Sequence, residues 1–424
     1  MTKEIIHEDF SIFFFVEGDK FKGDKNCFPS SFTLRNIIVV NKSGLLHFNI
    51  CGIFIDTASA YVVFPKGFIM DDISETVLVK HANLLLQVFK KYNLQENLSV
   101  LSEGIDSKKT EDSGAVFSLL DLLEDYLSNG LLVRETIINE KSYNGRIDWK
   151  RTISATVPLI SGDSIHYLPP IIKRKVYERD SIIQTIHIMC VQEAFYKFGW
   201  LFDLDSSENF LNVPSLNISH EEILRILHSE LRVTFSDRDI HVIKLMIKYL
   251  EETQSTKNEN TNTVFLYSFY FHTIFESMCM SFFKGMSASD FDIPKPEWHM
   301  KDDSIKTTSQ IPDILFIENE EIFVVDAKYY DYRYNLPGWG DLVKQHFYGF
   351  SLKHMSSKNN IFLLPGTHQN TFEYIGYSKV PEIDVFENSK IYAFTVDCIK
   401  LMRCYVTNSA NNNRLELREQ LSLL

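Results

Sequence analysis

The amino-acid sequence predicts an α+β multidomain protein, in which N-terminal β-rich and helical regions precede a C-terminal core of mixed α/β structure. Three observations support this class. Residues 9–70 hold β-branched runs that are broken by turn residues. Residues 77–93 and 175–250 place apolar side chains at helical spacing. Residues 264–398 then mix strand-like runs with apolar helical segments.

Two polar and charged stretches divide the chain. Residues 101–115 and 252–263 have no apolar periodicity, which is typical of a surface loop or a linker. We place a domain boundary in the second stretch. The sequence thus predicts an N-terminal β-rich and helical domain over residues 1–130, a hairpin and mainly helical middle region over 131–256, and a third domain over 257–424.

Shorter patterns predict individual elements of the first two domains and the start of the third. An amphipathic helix is expected to end at Asn129 and Gly130. Residues 131–160 are expected to form two strands around a Ser-Tyr-Asn-Gly turn, which is a hairpin signal. Residues 264–283 are apolar on nearly every face, so we expect a buried helix there.

The rest of the third domain alternates between strand and helix patterns. We expect strands at 311–317 and 322–327, a helix over 340–354, and two further strands at 358–366 and 390–398. This order of elements predicts the mixed α/β layer of the C-terminal core.

Charge and composition limit the function classes. Hydrophobic residues make up 45% of the 424 residues and charged residues 23%, which is ordinary for a globular protein. The net charge of −13 counts against a protein that holds DNA mainly by neutralising phosphates, because such proteins are usually basic. It leaves room for an enzyme whose metal screens its carboxylates, or for a subunit that a partner brings to DNA.

Several sequence signals are absent from these residues. No apolar run approaches the roughly 20 residues that span a bilayer, so we expect no membrane partner. The six cysteines are scattered without a Cys-x-x-Cys pair, which argues against a zinc ribbon and a disulfide framework and favours a cytoplasmic location. The P-loop pattern Gly-x₄-Gly-Lys-Ser/Thr is missing, so we do not expect this chain to hydrolyse a nucleotide by that route.

The stretch IPDILFIENEEIFVVDAKYY, residues 311–330, concentrates charged groups in two β-like runs. Side chains alternate along a strand, so Asp326 and Lys328 share one face, and antiparallel pairing would bring Asp313 beside Asp326. Two carboxylates that close repel each other unless one is protonated or a cation lies between them. Their hard oxygens suit Mg²⁺, which would stabilise charge on a phosphate and acidify an attacking water. Lys328 would orient or deprotonate that water, or pair with the phosphate.

Glu276 adds a third carboxylate in the middle of the apolar helix. A buried glutamate needs a partner, because burying an unpaired charge is unfavourable. A metal-bound water is one candidate partner, and a buried salt bridge is the alternative. For the hairpin itself, the alternative is a pair of solvated acids with Lys328 as a surface residue.

The order Pro312-Asp313, then Asp326-Ala327-Lys328, with Glu276 on a preceding helix, resembles the PD-(D/E)xK nuclease superfamily. The resemblance implies a nuclease core in which the two aspartates and the backbone carbonyl of Ala327 hold Mg²⁺. Glu276 would assist as a further metal ligand, through water if not directly.

The same resemblance extends to the helix that follows the lysine. It implies that Gln345 lies beside the active site as a catalytic residue, and Lys344 is a candidate DNA contact. A plain helix-surface role is the alternative for both residues.

Three longer stretches, residues 49–67, 143–153 and 326–350, look like the LlaJI-type restriction endonuclease family, which groups with McrC-like subunits and with components of BsuMI-type systems. The resemblance spans most of the chain. It implies a type II-like or McrBC-like endonuclease that cuts double-stranded DNA and works with a separate McrB-like AAA+ GTPase, and with other restriction subunits. The N-terminal domain would dock that partner or recognise DNA.

Basic and aromatic residues in two of these stretches are candidate DNA contacts, with structural packing as the alternative: Arg146, Lys150, Arg151 and Arg333. Two functions other than a restriction endonuclease stay open. One is a regulatory binding subunit that stimulates the GTPase motor. The other is a DNA repair or recombination nuclease built on the same fold.

Overall fold

The structure, a computed structural model, describes most of the chain. The described ranges are 3–7, 10–56, 58–103, 113–178, 181–202, 216, 218–256, 264–285, 295–307, 312–352, 358–381, 389–409 and 412–424. Packing divides the chain into two compact units, one formed by residues 1–111 with 261–424 and the other by residues 112–260. The first unit therefore joins the N-terminal region to the C-terminal core, a division that does not follow the three sequential ranges expected from the sequence.

A mixed five-stranded sheet within the described residues explains why the two ends of the chain form one unit. Its strands lie in the order β1 (Lys3–His7), β2 (Phe10–Val16), β6 (Ser59–Phe64), β5 (Cys51–Ile55) and β12 (Val264–Ser268). Strand β12 pairs antiparallel with β5, so the chain returns to the N-terminal sheet before it enters the C-terminal core. The expected helix over 264–283 is wrong at its start, where residues 264–268 form strand β12 and the helix begins only at Phe271. A short apolar run fits a buried strand as well as a helix.

Further elements complete the N-terminal part. They are α1 (Ser30–Leu34), the antiparallel ribbon of β3 (Ile38–Val40) and β4 (Leu46–Phe48), the long helix α2 (Glu75–Glu103) and a 3₁₀ turn (Lys25–Cys27). Aromatic rings fill the core between the ribbon and the sheet. Phe15 lies 4.5 Å from Phe48 and Phe32 lies 4.9 Å from Phe54, measured between ring centroids.

The second sheet of this unit contains the two runs of the IPDILFIENEEIFVVDAKYY stretch. Its strands lie in the order β15 (Ile314–Glu318), β16 (Glu321–Ala327), β17 (Lys358–Gly366), β19 (Ile391–Asp397) and β18 (Phe372–Ser378). The antiparallel hairpin of β15 and β16 is confirmed, and so are the expected strands at β17 and β19. Strand β18, which the sequence did not predict, pairs antiparallel with β19 at the sheet edge.

Helices cover this second sheet, and a small two-stranded ribbon precedes β15 in the chain. The helices are α8 (Phe271–Phe283), α9 (Trp339–Ser351), α10 (Cys398–Thr407) and α11 (Asn413–Ser422), and the ribbon pairs β13 (Glu297–His299) with β14 (Ile305–Thr307). The ring of Phe283 stacks on Phe316, which stacks on Phe323, so α8 is a buried helix as expected. Helix α9 confirms the predicted helix over residues 340–351, whereas residues 353 and 354 of the predicted range lie outside the described residues.

The second unit combines helices with a three-stranded sheet. Its elements are α3 (Ser113–Asn129), β7 (Arg134–Lys141), β8 (Arg146–Ile147), α4 (Trp149–Ala155), the ribbon of β9 (Leu159–Ser161) and β10 (Ser164–His166), β11 (Ile171–Glu178), α5 (Ile182–Phe198) with a 3₁₀ turn (Gly199–Phe202), α6 (His220–Leu231) and α7 (Asp237–Thr256). The mainly helical segment expected over residues 175–250 is confirmed from residue 182 in the described ranges, whereas residues 175–178 belong to strand β11 and residues 179–180, 203–215 and 217 lie outside the described residues. The helix end at Asn129 and Gly130 is confirmed.

The hairpin expected over residues 131–160 is wrong. Strands β7 and β8 do not pair with each other, because β11 lies between them and pairs antiparallel with both. Residues 149–155 are helical instead, and the carboxylate of Asp148 caps this helix by accepting the N–H of Arg151 at 3.2 Å. A local turn signal cannot reveal a strand that arrives from further along the chain.

The two expected linkers are shorter than the sequence suggests. Helix α2 continues to Glu103 and α3 begins at Ser113, whereas residues 104–112 lie outside the described residues. Helix α7 likewise continues to Thr256, and residues 257–263 lie outside the described part.

Two further observations concern the described residues as a whole. No helix among them is both long enough and apolar enough to cross a bilayer. The six cysteines have free thiols, and all but Cys27 are buried. The cytoplasmic location stays a prediction.

Candidate active site

Asp313 and Asp326 lie side by side at the end of the β15–β16 hairpin. The register pairs Ile314 with Val325, which places the two aspartates opposite each other, one residue further along. One oxygen of Asp313 accepts the backbone N–H of Ala327 at 3.0 Å. Asp326 is only 5% exposed. The alternative of two solvated acids at the hairpin end is therefore wrong.

Burial and mutual repulsion make both carboxylates harder to ionise. Burial, together with the neighbouring charge of Asp313, raises the pKa of Asp326 to about 7, although the ion pair with Lys328 opposes this shift. Burial and the charge of Glu276 also raise the pKa of Asp313, against the opposing effects of Lys328 and the Ala327 N–H. The pair is therefore ionised at lower cost when a cation is bound beside it.

Lys328 supplies positive charge at this point. Its ammonium lies 2.6 Å from a carboxylate oxygen of Asp326 and 3.3 Å from one of Asp341. Burial lowers the pKa of Lys328, but the hydrogen bond and charge of Asp326 outweigh this effect, so the net shift is upward. The lysine is therefore protonated at neutral pH, and its side chain is only 18% exposed rather than a surface group.

Sequence reasoning missed Asp341, which lies in the first turn of α9. Its second oxygen accepts the N–H of Gly338 at 3.1 Å, as an acidic residue commonly does at this position of a helix. The same oxygen accepts the hydroxyl of Tyr330 at 3.5 Å. The sequence Gly338-Trp339-Gly340-Asp341 could have identified a helix start, but only the folded chain brings the acid to Lys328.

Glu276 projects from α8 toward the same group of charges. It is half-buried, and burial raises the pKa of its carboxyl. The charge of Lys328 lowers that pKa and the charge of Asp326 raises it further, so Glu276 lies within the electrostatic field of both residues. The structure thus brings together the residues that the sequence analysis selected from α8, β15 and β16.

Gln345 and Lys344 lie next to each other on α9 but in different environments. The Gln345 amide is fully buried and donates to the backbone carbonyls of Val324 at 2.9 Å and Ile361 at 3.3 Å. This side chain joins α9 to two neighbouring strands, a contact that supports the sheet behind the aspartates. Lys344 is exposed to solvent.

The other candidate DNA contacts are not part of this cluster. The guanidinium of Arg333 lies 2.6 Å from Asp331 and 3.8 Å from Asp19, so carboxylates of the protein already neutralise it. The remaining three residues, Arg146, Lys150 and Arg151, are exposed and belong to the second unit.

The donor atoms at the hairpin end fit a hard cation such as Mg²⁺. The two aspartates offer carboxylate oxygens, and burial with mutual repulsion favours a cation between them. Across the described ranges, no three His, Cys, Asp or Glu side chains are gathered closely enough to form a ready metal cage. The ammonium of Lys328 instead forms an ion pair with one oxygen of Asp326, and a metal bound to that oxygen would displace it.

A comparison with protein-family models identifies one family. The model of the LlaJI restriction endonuclease family matches residues 50–398. A protein of Bacillus subtilis (strain 168), described as type II restriction enzyme BsuMI component YdjA, is 26% identical over 385 residues, which cover 84% of this chain and 81% of the relative.

A search of solved structures found a chain in the refined half-complex of Thermococcus gammatolerans McrB AAA+ hexamers with bound McrC. It has 13% sequence identity and a TM-score of 0.38, and the alignment covers 94% of this chain and 99% of the other.

The raised pKa of Asp326 predicts a pH-dependent stability in metal-free protein. An acid whose folded pKa exceeds its unfolded value contributes stability at low pH that is lost as pH rises through the folded pKa, here about 7. Between pH 6 and 8, the wild type should lose about 1 kcal/mol more unfolding free energy than Asp326→Asn. Urea unfolding in the presence of a chelator measures this difference, and parallel profiles for the two proteins would contradict it.

Proposed function

Because this chain belongs to the LlaJI restriction endonuclease family and is a component of a restriction system, we propose that it hydrolyses DNA phosphodiester bonds with the help of Mg²⁺. The observation that carries the proposal is the cluster of buried Asp326 with half-buried Asp313 and Lys328 at the ends of two paired strands. Its arrangement on a mixed sheet flanked by α8 and α9 supports a PD-(D/E)xK nuclease core.

In this proposal, the acidic groups of the cluster hold the metal together. Asp313, Asp326 and the backbone carbonyl of Ala327 hold the metal, and Glu276 contributes from α8, directly or through a water. The metal, when bound, supplies Lewis acidity at the scissile phosphate and lowers the pKa of an attacking water. The hydrogen bond from the Ala327 N–H fixes the orientation of the Asp313 carboxylate before any ligand arrives.

Lys328 acts as a charged hydrogen-bond donor. Its pKa is raised by the surrounding carboxylates, which opposes a role as the base that deprotonates water. A protonated lysine instead orients the attacking water or stabilises charge on the phosphate as the bond breaks. The structure therefore favours two of the three roles that the sequence left open.

Asp341 completes the site as a second carboxylate that pairs with Lys328. When a metal occupies the Asp326 carboxylate, the lysine needs another anion, and Asp341 already lies 3.3 Å from its ammonium. The acid is itself held by the α9 backbone and by Tyr330. It thus keeps Lys328 charged and in place during the reaction.

We further propose that the chain works with a McrB-like AAA+ GTPase, and with other restriction subunits, on double-stranded DNA. The support is the family resemblance, the net charge of −13, which opposes tight binding to phosphates by this chain alone, and a sequence without a P-loop motif. Arg146, Lys150, Arg151 and Lys344 are exposed cations that remain available to DNA or a partner.

The first test removes one metal ligand at a time. Asp326→Asn and Asp313→Asn should abolish Mg²⁺-dependent cleavage of plasmid DNA while the fold persists, because Asn keeps the shape of the side chain and removes its charge. The matched control is Glu320→Gln, which removes an exposed carboxylate at the other end of the same hairpin and should cut at the wild-type rate. A well-folded Asp326→Asn protein that cuts as fast as the wild type would refute the assignment.

The second test concerns Asp341. Asp341→Asn keeps an acceptor for the α9 backbone but removes the charge near Lys328, so cleavage should slow by roughly tenfold, which is about 1.4 kcal/mol in the barrier. Mg²⁺ affinity, measured by calorimetry, should not change, and the activity should begin to fall at a lower alkaline pH. Asp341→Glu should recover most of the rate. An unchanged rate and pH profile in Asp341→Asn would exclude this role.

The third test separates an enzyme from a regulator. With a McrB-like GTPase and GTP present, the wild type should cut DNA, whereas Asp326→Asn should still stimulate GTP hydrolysis without cutting. Both activities are measured for the chain alone and for the assembly. Efficient cutting by the isolated chain would favour a stand-alone restriction, repair or recombination nuclease. Stimulated GTP turnover with no cutting by the wild type on any DNA would favour the regulatory subunit.

A further inference from the structure

Tyr329 follows Lys328 directly, yet its hydroxyl is bound by the N-terminal sheet. The hydroxyl donates to the carboxylate of Glu17 at 2.7 Å and accepts the backbone N–H of Lys66 at 2.9 Å. The ammonium of Lys66 lies 3.4 Å from the other oxygen of Glu17. Tyr329 is 7% exposed and Glu17 8%, so the hydrogen bond between these two side chains is shielded from water.

The position of this contact follows from the topology. Strands β2 and β6 are parallel neighbours, and Glu17 and Lys66 lie just beyond the carboxyl ends of these strands. The backbone N–H of Glu17 donates to Phe64 at 2.9 Å, which holds the two ends together. They form a small polar socket into which the Tyr329 hydroxyl inserts.

The ring of Tyr329 extends the contact to the helix that carries Glu276. Its centroid lies 5.4 Å from that of Phe271 and 5.7 Å from that of Phe275, which directly precedes Glu276. One residue before Tyr329, the backbone N–H of Lys328 donates to the carbonyl of Leu363 on β17 at 2.8 Å. The backbone at Lys328 is therefore fixed by β17 before it and by the socket after it.

We propose that Tyr329 and Glu17 are positioning residues for Lys328, through which the N-terminal sheet sets the place of the lysine ammonium in the active site. This inference rests on the proposed nuclease function. The N-terminal sheet then forms part of the catalytic centre in addition to any docking role. A buried hydrogen bond to a carboxylate has a narrow geometry, so losing it allows the strand end and the lysine to shift.

The contact can be removed with little change in packing. Tyr329→Phe deletes only the hydroxyl and keeps the ring against Phe271 and Phe275. We expect cleavage at saturating DNA to slow by roughly 10- to 100-fold, because small displacements of a catalytic group have effects of this size. Glu17→Gln keeps an acceptor for the hydroxyl and should retain more activity than Glu17→Ala.

A matched control lies in the same region. The hydroxyl of Thr367 donates to the carbonyl of Gly67 and accepts the N–H of Ile69, both at 3.2 Å. It therefore joins the segment that directly follows Lys66 to the end of β17. Thr367→Val removes these bonds without touching the chain next to Lys328. It should lower thermal stability about as much as Tyr329→Phe and leave the cleavage rate unchanged.

Two measurements separate positioning from a general loss of stability. If Tyr329 acts through Lys328, adding Tyr329→Phe to Lys328→Ala should slow cleavage no further, whereas independent effects would multiply. Independently of activity, the rate of amine acetylation at Lys328, mapped by mass spectrometry against exposed Lys344, should rise several-fold in Tyr329→Phe and not in Thr367→Val.

These outcomes also distinguish the inference from the proposed function. Multiplicative rate effects, or an unchanged acetylation rate at Lys328, would overturn the positioning role even if the wild type cuts DNA. If the wild type does not cut, the nuclease function fails, and the acetylation rates alone still show whether Tyr329 holds Lys328 in place.

Discussion

The balance of charge between buried Asp326, half-buried Asp313 and one lysine is the constraint on which the rest of the first unit depends. Asp313 and Asp326 lie opposite each other because of a fixed strand register, and burial makes each harder to ionise. Such a pair persists where one of its members is protonated or where a cation is held beside it. Lys328 provides that cation in this structure, and in the proposed function a bound Mg²⁺ ion would take over part of this task.

Much of the surrounding structure serves to hold these groups against their own repulsion. Gln345 ties α9 to the carbonyls of β16 and β17, and Asp341 restrains Lys328 from the start of α9. The N-terminal sheet reaches the same place through Glu17 and Tyr329. The charged cluster is thus supported from α9, from the central sheet and from the N-terminal sheet.

The basic residues that suggested DNA contacts have different environments in the folded chain. Arg333 is paired with two aspartates, which makes it a part of the loop after Lys328 rather than a free cation. In the second unit, Asp148 lies 3.9 Å from Arg151, which nevertheless stays exposed to solvent, as do Arg146 and Lys150. Any attraction of the chain to DNA therefore depends on a few exposed cations against a net charge of −13.

Local chemistry in the sequence was enough to predict the two strands of the candidate active site. The alternation of β15 and β16, the polar turn between them and the positions of Asp313, Asp326 and Lys328 all follow from patterns of a few residues. The sequence also identified the buried helix with Glu276, because a charged residue in an apolar stretch stands out. All of these features depend on residues that lie close together in the chain or on a single periodic pattern.

Tertiary structure alone decided the contacts between distant segments. Strand β12 joins the N-terminal sheet, and β11 separates β7 from β8, because backbone pairing depends on which strand reaches an edge and not on local turn signals. The pairing of Lys328 with Asp341, and that of Tyr329 with Glu17, which is 312 residues away, arise in the same manner. No local pattern records such a partner, because these contacts form only when the chain folds and brings the two segments together.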